Sequence, residues 1–437
     1  MRTFWTALIL LSGTIPLFGL TLDEAIRESL AHHPGLRAQQ LRTQVLARDK
    51  ASSYQAFFPS LTAGVGVQRW NDTANHRQFV GLTSTFSPKV YEPDPVSLGA
   101  KVDLSFTLGL AAVASILQAD AQWAAGQAEE DKTRSGLVAG VKKAFAGVLA
   151  LESAVELAGQ QEVTAQDRWK FVEAGRAQGT QSEGDGLQAR TLWTNRTIER
   201  LQAESHLAEA RRGLASLLGR PSDEGLVVDG SISPQVPKVD RQVDDLNRYL
   251  GRRPDFRDLE AQGQGLDAQV WGALALAVPQ VVVEWTADPG TNGGSPWTQT
   301  SGALSLQLQW KLDSLLPGSK FWTLKDDLDD YKAGLAQAKR QTNLTAQAEI
   351  QSLVRQINDA RRVLPLREAQ ANDAARAAVL SQAAFQAGVK RLAEAQEADD
   401  QAARARLGLL QERLQLLSAQ ADLEQALSAS QEEIDAQ

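Results

Sequence analysis

The chain carries one pattern twice, and this duplication limits the folds open to it more than any other feature. His32-His33-Pro34-Gly35-Leu36-Arg37 recurs as Arg252-Arg253-Pro254-Asp255-Phe256-Arg257, and Phe58-Pro59-Ser60-Leu61 recurs as Val278-Pro279-Gln280-Val281. Pro34 and Pro254 are 220 residues apart, and so are Pro59 and Pro279. One matched proline carries little weight; two at one offset in like settings mark a duplicated structural unit. A third landmark, Phe171-Val172-Glu173-Ala174-Gly175, returns as Phe385-Gln386-Ala387-Gly388 at an offset of 213, a difference that loops or helix turns absorb. Gly219 followed by Pro221 is a helix stop. The expected organisation is an N-terminal segment over 1–19, a first repeat over 20–220, a linker over 221–240 and a second repeat over 241–437.

Each repeat reads as helix, two strands, long helix. Residues Thr21 to about Phe57 are amphipathic and rich in Ala, Gln, Arg and Leu, with Pro59 closing the stretch. The period then changes to two: Leu61, Ala63, Val65 and Val67 alternate with Thr62, Gly64, Gly66 and Gln68, and Val96 through Leu108 alternates more cleanly. Strands are expected at about 60–70 and 96–110, and in the second repeat at about 280–287 and 301–313. The turn-rich stretches Asn71 to Pro95 and Asp288 to Ser301 make each pair a hairpin. Long helices follow, roughly 112–218 and 319–430, with breaks expected near Gly175–Gly186 and at Gly388. Leu409, Leu416 and Leu423 form a stripe seven apart beside a second stripe of Leu407, Leu410, Leu414 and Leu417. Strict sevens imply coiled-coil packing, and two stripes imply neighbours on two sides or one wide apolar face.

Composition removes whole classes of function. The chain has no cysteine, its only methionine is Met1, and its net charge is -8. Disulfides, thiol nucleophiles and Cys-ligated metals are excluded, and an acidic chain without a basic run is a poor nucleic-acid partner. His32, His33, His76 and His206 are scattered without helical pairing, so no metal site is expected. No nucleophile constellation or phosphate loop is present, so no catalytic residue and no cofactor are assigned, and the chain does not read as an enzyme. Arg2, the apolar run Leu8 to Leu11 and small Gly19 read as a secretory signal peptide, against a buried N-terminal helix. After Leu20 no stretch offers the roughly 18 apolar residues of a spanning helix. A membrane crossing must therefore use strands. Strands with one apolar face suit a closed barrel, and four strands cannot close one alone, so insertion requires an oligomer. The competing reading is a soluble sheet packed on helices in a periplasmic coiled-coil scaffold. Trp70, Trp285, Trp297 and Trp310 in or beside the strands fit an interfacial girdle or an ordinary core.

The opening Leu20-Thr21-Leu22-Asp23-Glu24-Ala25-Ile26, His33-Pro34, Phe58-Pro59-Ser60-Leu61, the Leu218-Gly219-Arg220-Pro221 stop and the duplicated order together resemble TolC-type outer membrane efflux proteins. The resemblance covers essentially the whole mature chain. It implies a mainly α fold with a transmembrane β-barrel portion: a homotrimer closing a twelve-stranded barrel in outer membrane lipid, continued into the periplasm by a long α-helical coiled-coil tunnel. About sixty helical residues reach roughly 90 Å, a fitting length for such a tunnel. It also implies a passive duct for efflux of small molecules or for type I secretion, working with a periplasmic adaptor protein and an inner membrane pump.

In the family, acidic residues six and nine positions beyond the second tip glycine ring the closed aperture. Counted from Gly388 these are Glu394 and Glu397, with Asp399 and Asp400 just after, whereas the positions from Gly175 are Gln181 and Gly184. Carboxylates crowded at a constriction favour cations; the plainer reading is a solvated helix face. Ala174, Gly175, Ala387 and Gly388 are expected at the adaptor-facing tips, or simply at helix ends. The family's usual residues at the aperture are aspartates, and no cysteine stands near the cleavage position to carry a lipid anchor. The linker Pro221–Asp240 would supply most of the equatorial belt.

Overall fold

The structure is a computed structural model and describes residues 19–69, 78–82, 88–91, 96–230, 250–288 and 301–428. Most of the expected signal peptide, His76, Trp70, Trp297 and the linker from residue 231 onward lie outside the described residues. By contacts the chain divides into two units: one holds the described residues of Met1–Gln40, Glu129–Phe256 and Thr342–Gln437, the other Leu41–Ala128 and Arg257–Gln341.

Helix α1 (Leu22–His32) opens with a capping box, the Thr21 hydroxyl accepting from the Glu24 amide and the Glu24 carboxylate accepting from the Thr21 amide at 3.0 Å. The Thr21 amide, and the Thr21 hydroxyl donating to the same carboxylate at 2.9 Å, hold the Glu24 carboxyl below its ordinary pKa. The expected single helix from Thr21 to Phe57 is broken at His33, whose extended backbone (ψ 121°) is what a residue before proline prefers. Pro34 then starts α2 (Pro34–Ser53), where its missing N–H costs nothing. Pro254 starts α5 (Pro254–Ala277) in the same way, and Pro59 and Pro279 each stand just before a strand. The four recurring prolines thus hold equivalent places in the fold.

The strand-bearing unit contains β1 (Ser60–Arg69), β4 (Val96–Leu108), β5 (Gln280–Asp288) and β6 (Ser301–Gln309), joined as one antiparallel sheet in the order β1-β4-β5-β6. Between β1 and β4, where only a loop was expected, β2 (Gln78–Leu82) and β3 (Pro88–Tyr91) form a separate two-stranded ladder. Strand β6 ends at Gln309, and a short 3-10 turn, Leu312–Leu315, takes up the rest of the expected strand. The register aligns Leu61, Leu104, Trp285 and Leu304 across the sheet, then Phe106, Val283 and Leu306, then Leu108, Val281 and Leu308. The opposite face carries Ser60, Ser105, Glu284 and Ser305 in one row and Thr62, Asp103, Thr286 and Ala303 in another. The apolar face is not covered: Leu61 is 68%, Val65 77% and Leu304 74% exposed. A soluble sheet packed on helices would bury those side chains, so this reading does not describe the protomer.

The helices of this unit follow the order of the strands. Helix α2 packs on α3 (Leu110–Ala177), with Thr43 donating to the Gly126 carbonyl at 3.2 Å and Lys50 pairing with Asp120 at 2.5 Å. Gly265 of α5 lies against Ala121 of α3, and Asp267 of α5 pairs with Lys332 of α6 (Lys320–Gln386) at 2.8 Å. Asp326, Asp327, Asp329 and Asp330 of α6 fall beyond its first turn, which holds no acid.

The helical unit is built on heptads. Along α6, Ile350, Ile357, Leu364, Ala371, Ala378 and Phe385 recur every seven residues and are all buried, although Pro365 stands inside the helix. On α7 (Leu392–Leu427), buried Leu416 and Leu423 and partly buried Leu409 join that seam, whereas Leu407 of the second stripe is exposed. Helix α4 (Glu183–Leu218) ends on Gly219 at φ 77°. A Cβ there would stand 2.6 Å from the His32 carbonyl oxygen, so close approach and handedness both demand glycine. Beyond it, Arg220 forks onto Glu28 at 2.5 and 2.7 Å, Ser29 donates to the Leu217 carbonyl at 2.8 Å, and Leu226 and Val228 enter the same core as Ala25. The Gly-Arg-Pro stop is therefore a junction between α1 and α4.

Candidate functional site

The two helix-to-helix turns of the helical unit are the places where the predicted functional residues fall. In the second repeat Gly388 has φ 75°, its amide bonds the Phe385 carbonyl at 2.9 Å, and the Val389 amide reaches back to the Ala384 carbonyl at 2.9 Å. That is a Schellman-type ending. In the first repeat the same bonds are made four residues past the expected place: Gly179 has φ 74°, its amide bonds the Arg176 carbonyl at 3.0 Å, and the Thr180 amide bonds the Gly175 carbonyl at 2.9 Å. Gly175 lies inside α3, so the counterpart of Gly388 is Gly179. Counting six and nine from Gly179 reaches Asp185 and Gln188 instead of Gln181 and Gly184. Asp185 is engaged in a capping box with Ser182, accepting from its amide at 3.3 Å.

Ala174, Ala387 and Gly388 are exposed, and Gly175 is half-buried beneath Thr180 and Gln181. Behind the turns, Val172, Ala189, Phe385, Leu392 and Ala395 form a small core, with Phe171 edge-on to Phe385 at 5.7 Å and Trp169 stacked on Trp193 at 5.0 Å. This core brings the two turns together. Glu394 lies in the first turn of α7, where the helix dipole favours a negative charge. Its carbonyl accepts from buried Ser381 at 3.4 Å, and Ser381 in turn accepts from Lys390 at 3.2 Å. Glu397 is exposed and accepts from Gln401 at 3.5 Å. The two carboxylates, three residues apart, share a helix face.

A charged cluster that sequence reasoning did not single out lies one step along the seam. Arg168 of α3 is only 2% exposed; its Nε donates to Gln382 of α6 at 2.5 Å and its Nη2 pairs with Asp399 of α7. Arg196 of α4 pairs with Asp400 and with Glu199. Arg168 stands between the buried Ala165 and Val172, and Asp399 is seven residues past buried Leu392, so both occupy apolar seam positions. Polar residues at such positions fix the register of helices. Burial pushes the Asp399 carboxyl above its ordinary pKa, with the Arg168 charge pulling it down and Asp400 raising it further. The cluster borders an open cleft of about 300 Å³ between the four helices, also lined by Gln160, Gln396 and Arg406. Among the described residues no group of His, Cys, Asp and Glu is arranged to hold a metal ion, and no helix is long and apolar enough to cross a membrane.

These features can be set beside known proteins. The chain is 24% identical over 416 residues to the pyoverdine export outer membrane protein OpmQ of Pseudomonas aeruginosa, covering 93% of this chain and 84% of that one. Among solved structures it is similar to a membrane protein from Pseudomonas aeruginosa, at 19% identity and TM-score 0.78 over 93% of both chains. It is similar also to the outer membrane protein VceC of Vibrio cholerae, at 16% identity and TM-score 0.76 over 94% and 96% of the two chains. A family model described as outer membrane efflux protein matches residues 25–220 and 246–429. That match spans both repeats in the order in which their helices and strands are laid out, and the chain belongs to the outer membrane efflux protein family.

Proposed function

We propose that this outer membrane protein is one protomer of a homotrimeric duct that exports small molecules, passively, under the drive of an inner membrane pump reached through a periplasmic adaptor. The observation that carries the reading is the sheet: one face apolar and uncovered, the other polar, with β1 and β6 each paired on one side only among the described residues. In lipid an open edge leaves backbone groups unsatisfied at several kcal/mol each, so edges must meet between copies. Four strands from each of three copies give twelve, an even number suited to an outer membrane barrel. The export role of OpmQ supports a small-molecule cargo over a secreted protein.

In this reading the exposed turns at Ala174–Thr180 and Ala387–Lys390 meet the adaptor, and Glu394 and Glu397 of three copies ring the periplasmic aperture. Their placement beside the turns, on one helix face, supports the assignment. The test is membrane fractionation followed by native mass spectrometry in detergent. An outer membrane fraction and a mass of three chains are expected; a water-soluble monomer would overturn the proposal.

A further inference from the structure

Among the described residues the strand-bearing unit has two free helix edges as well as two free strand edges, one helix edge carrying Arg48, with Asp49 beside it, and the other a run of aspartates. On α2, Thr43 faces α3, so Leu41 and Val45, two residues to either side and therefore about 200° round the helix, face away. Arg48 falls on that same outer stripe. On α6, Leu328 is buried, and Asp326 and Asp330, again two residues to either side, lie on the opposite face, Asp330 at the rim of the cleft that α6 shares with α3 and α5, with Asp329 beside them. None of Arg48, Asp326, Asp327, Asp329 or Asp330 has a side-chain hydrogen-bond or ion-pair partner among the described residues. The neighbouring cations of α6 are engaged, Lys332 with Asp267 and Lys325 over the Trp322 ring.

The heights of the two edges match. Lys50 meets Asp120; the next residue, Ala121, meets Gly265; Asp267 meets Lys332. These contacts place Lys50 and Lys332 at one level across the four helices. Helix α2 runs toward the sheet and α6 away from it. Arg48 and Asp330, each two residues before its lysine, therefore differ in height by roughly 6 Å, a gap an extended arginine side chain spans.

We infer that Arg48 on α2 of one protomer docks against the acidic stretch Asp326–Asp330 on α6 of the next, a head-to-tail contact that closes the ring beside the β1–β6 seam. The occupant of each edge is a second copy of this chain, because the two edges are complementary in charge and continuous with the unpaired strand edges. The inference rests on the oligomeric reading above and adds the residues that set its register. Lining up opposite charges at one level selects the paired register over slipped ones.

The test uses the full chain in detergent, whose lack of cysteine makes thiol chemistry specific. Arg48→Cys/Asp330→Cys, treated with a short bis-maleimide, is expected to give covalent dimers and trimers, while either single cysteine gives none. Arg48→Glu alone and Asp329→Lys/Asp330→Lys alone should each raise the ring's dissociation constant about tenfold, equivalent to about 1.4 kcal/mol, and the combined variant should recover most of the loss. A ring that forms without cross-links and ignores all three charge changes overturns this contact but leaves the trimer standing. A ring that ignores them and dissociates on chelation assigns the aspartates to a divalent cation instead, which also overturns it. An unmodified chain that stays monomeric fails the oligomeric reading itself.

Discussion

Replacing Asp399 with alanine removes the carboxylate partner of Arg168, whose side chain is only 2% exposed and keeps just the Gln382 carbonyl as a close acceptor. Stripping one partner from a buried ion pair costs about 3–5 kcal/mol, because the remaining charge stays desolvated. The reverse change, Arg168→Met, leaves Asp399, which is 25% exposed and also feels Arg196. That carboxylate can rehydrate, so a cost of about 1–2 kcal/mol is expected, within the range of an unsatisfied polar group. Exchanging both together, Arg168→Met with Asp399→Leu, places apolar groups at two apolar seam positions and should fall within about 1 kcal/mol of the parent. The assay is hydrogen–deuterium exchange of the segments around residues 165–172 and 395–402, which reads the free energy of local opening. Asp399→Ala should speed exchange there by roughly two to three orders of magnitude, Arg168→Met by about one, and the double variant by little, at about 1.4 kcal/mol per factor of ten. Equal effects for the two single changes, or costs that simply add, would refute the claim that burial of the guanidinium dominates.

Gly219→Ala forces a left-handed conformation on alanine, at about 1–2 kcal/mol, and drives its Cβ into the His32 carbonyl; a lower melting temperature with loss of the α1–α4 contact is expected by circular dichroism and limited proteolysis. The Glu28 carboxyl is held below its ordinary pKa first by hydrogen bonds from Arg220, so its stabilising share is present above the ordinary value near 4.5 and is lost as pH falls through the lowered one; Glu28→Gln should flatten that part of a stability–pH curve. Asp399 runs the other way. Its raised pKa makes its own contribution largest below the ordinary carboxylate value and smaller as pH rises through the raised one, a trend that Asp399→Asn should remove when exchange is followed against pH. On the sheet, Leu306→Lys puts a charge on the exposed apolar face and should cost about 2–4 kcal/mol near mid-bilayer, read as reduced insertion into lipid vesicles; Ser305→Lys on the polar face should be tolerated.

The strands were legible because period-two alternation encodes both faces at once: the residues that alternate in β4 and β6 are the ones the register lines up as Leu104–Leu304 and Phe106–Leu306 rows. The stripe Leu409, Leu416 and Leu423 was legible for the same reason, since a heptad names its own seam. The small β2–β3 ladder was not, because four or five residues around Gly81 and Pro88 are too few to show a period. The first tip turn was misplaced by four residues because Ala-Gly is compatible with a helix interior; the turn belongs to Gly179, where positive φ and the Thr180 amide bond coincide. The Arg168–Asp399 pair joins residues of different repeats, and nothing local announces such a partner. Its one signal was a charge at a position where the flanking heptads, Ala165 and Val172, call for an apolar side chain.

The duct and its aperture are tested most directly by single-channel conductance of the purified chain in a planar bilayer, wild type against Glu394→Gln/Glu397→Gln. Discrete channels of low conductance that prefer cations are expected, with the double change weakening that preference and altering conductance. Channels indifferent to the change would move the aperture away from these residues, and a protein that forms no channels at all would contradict the duct.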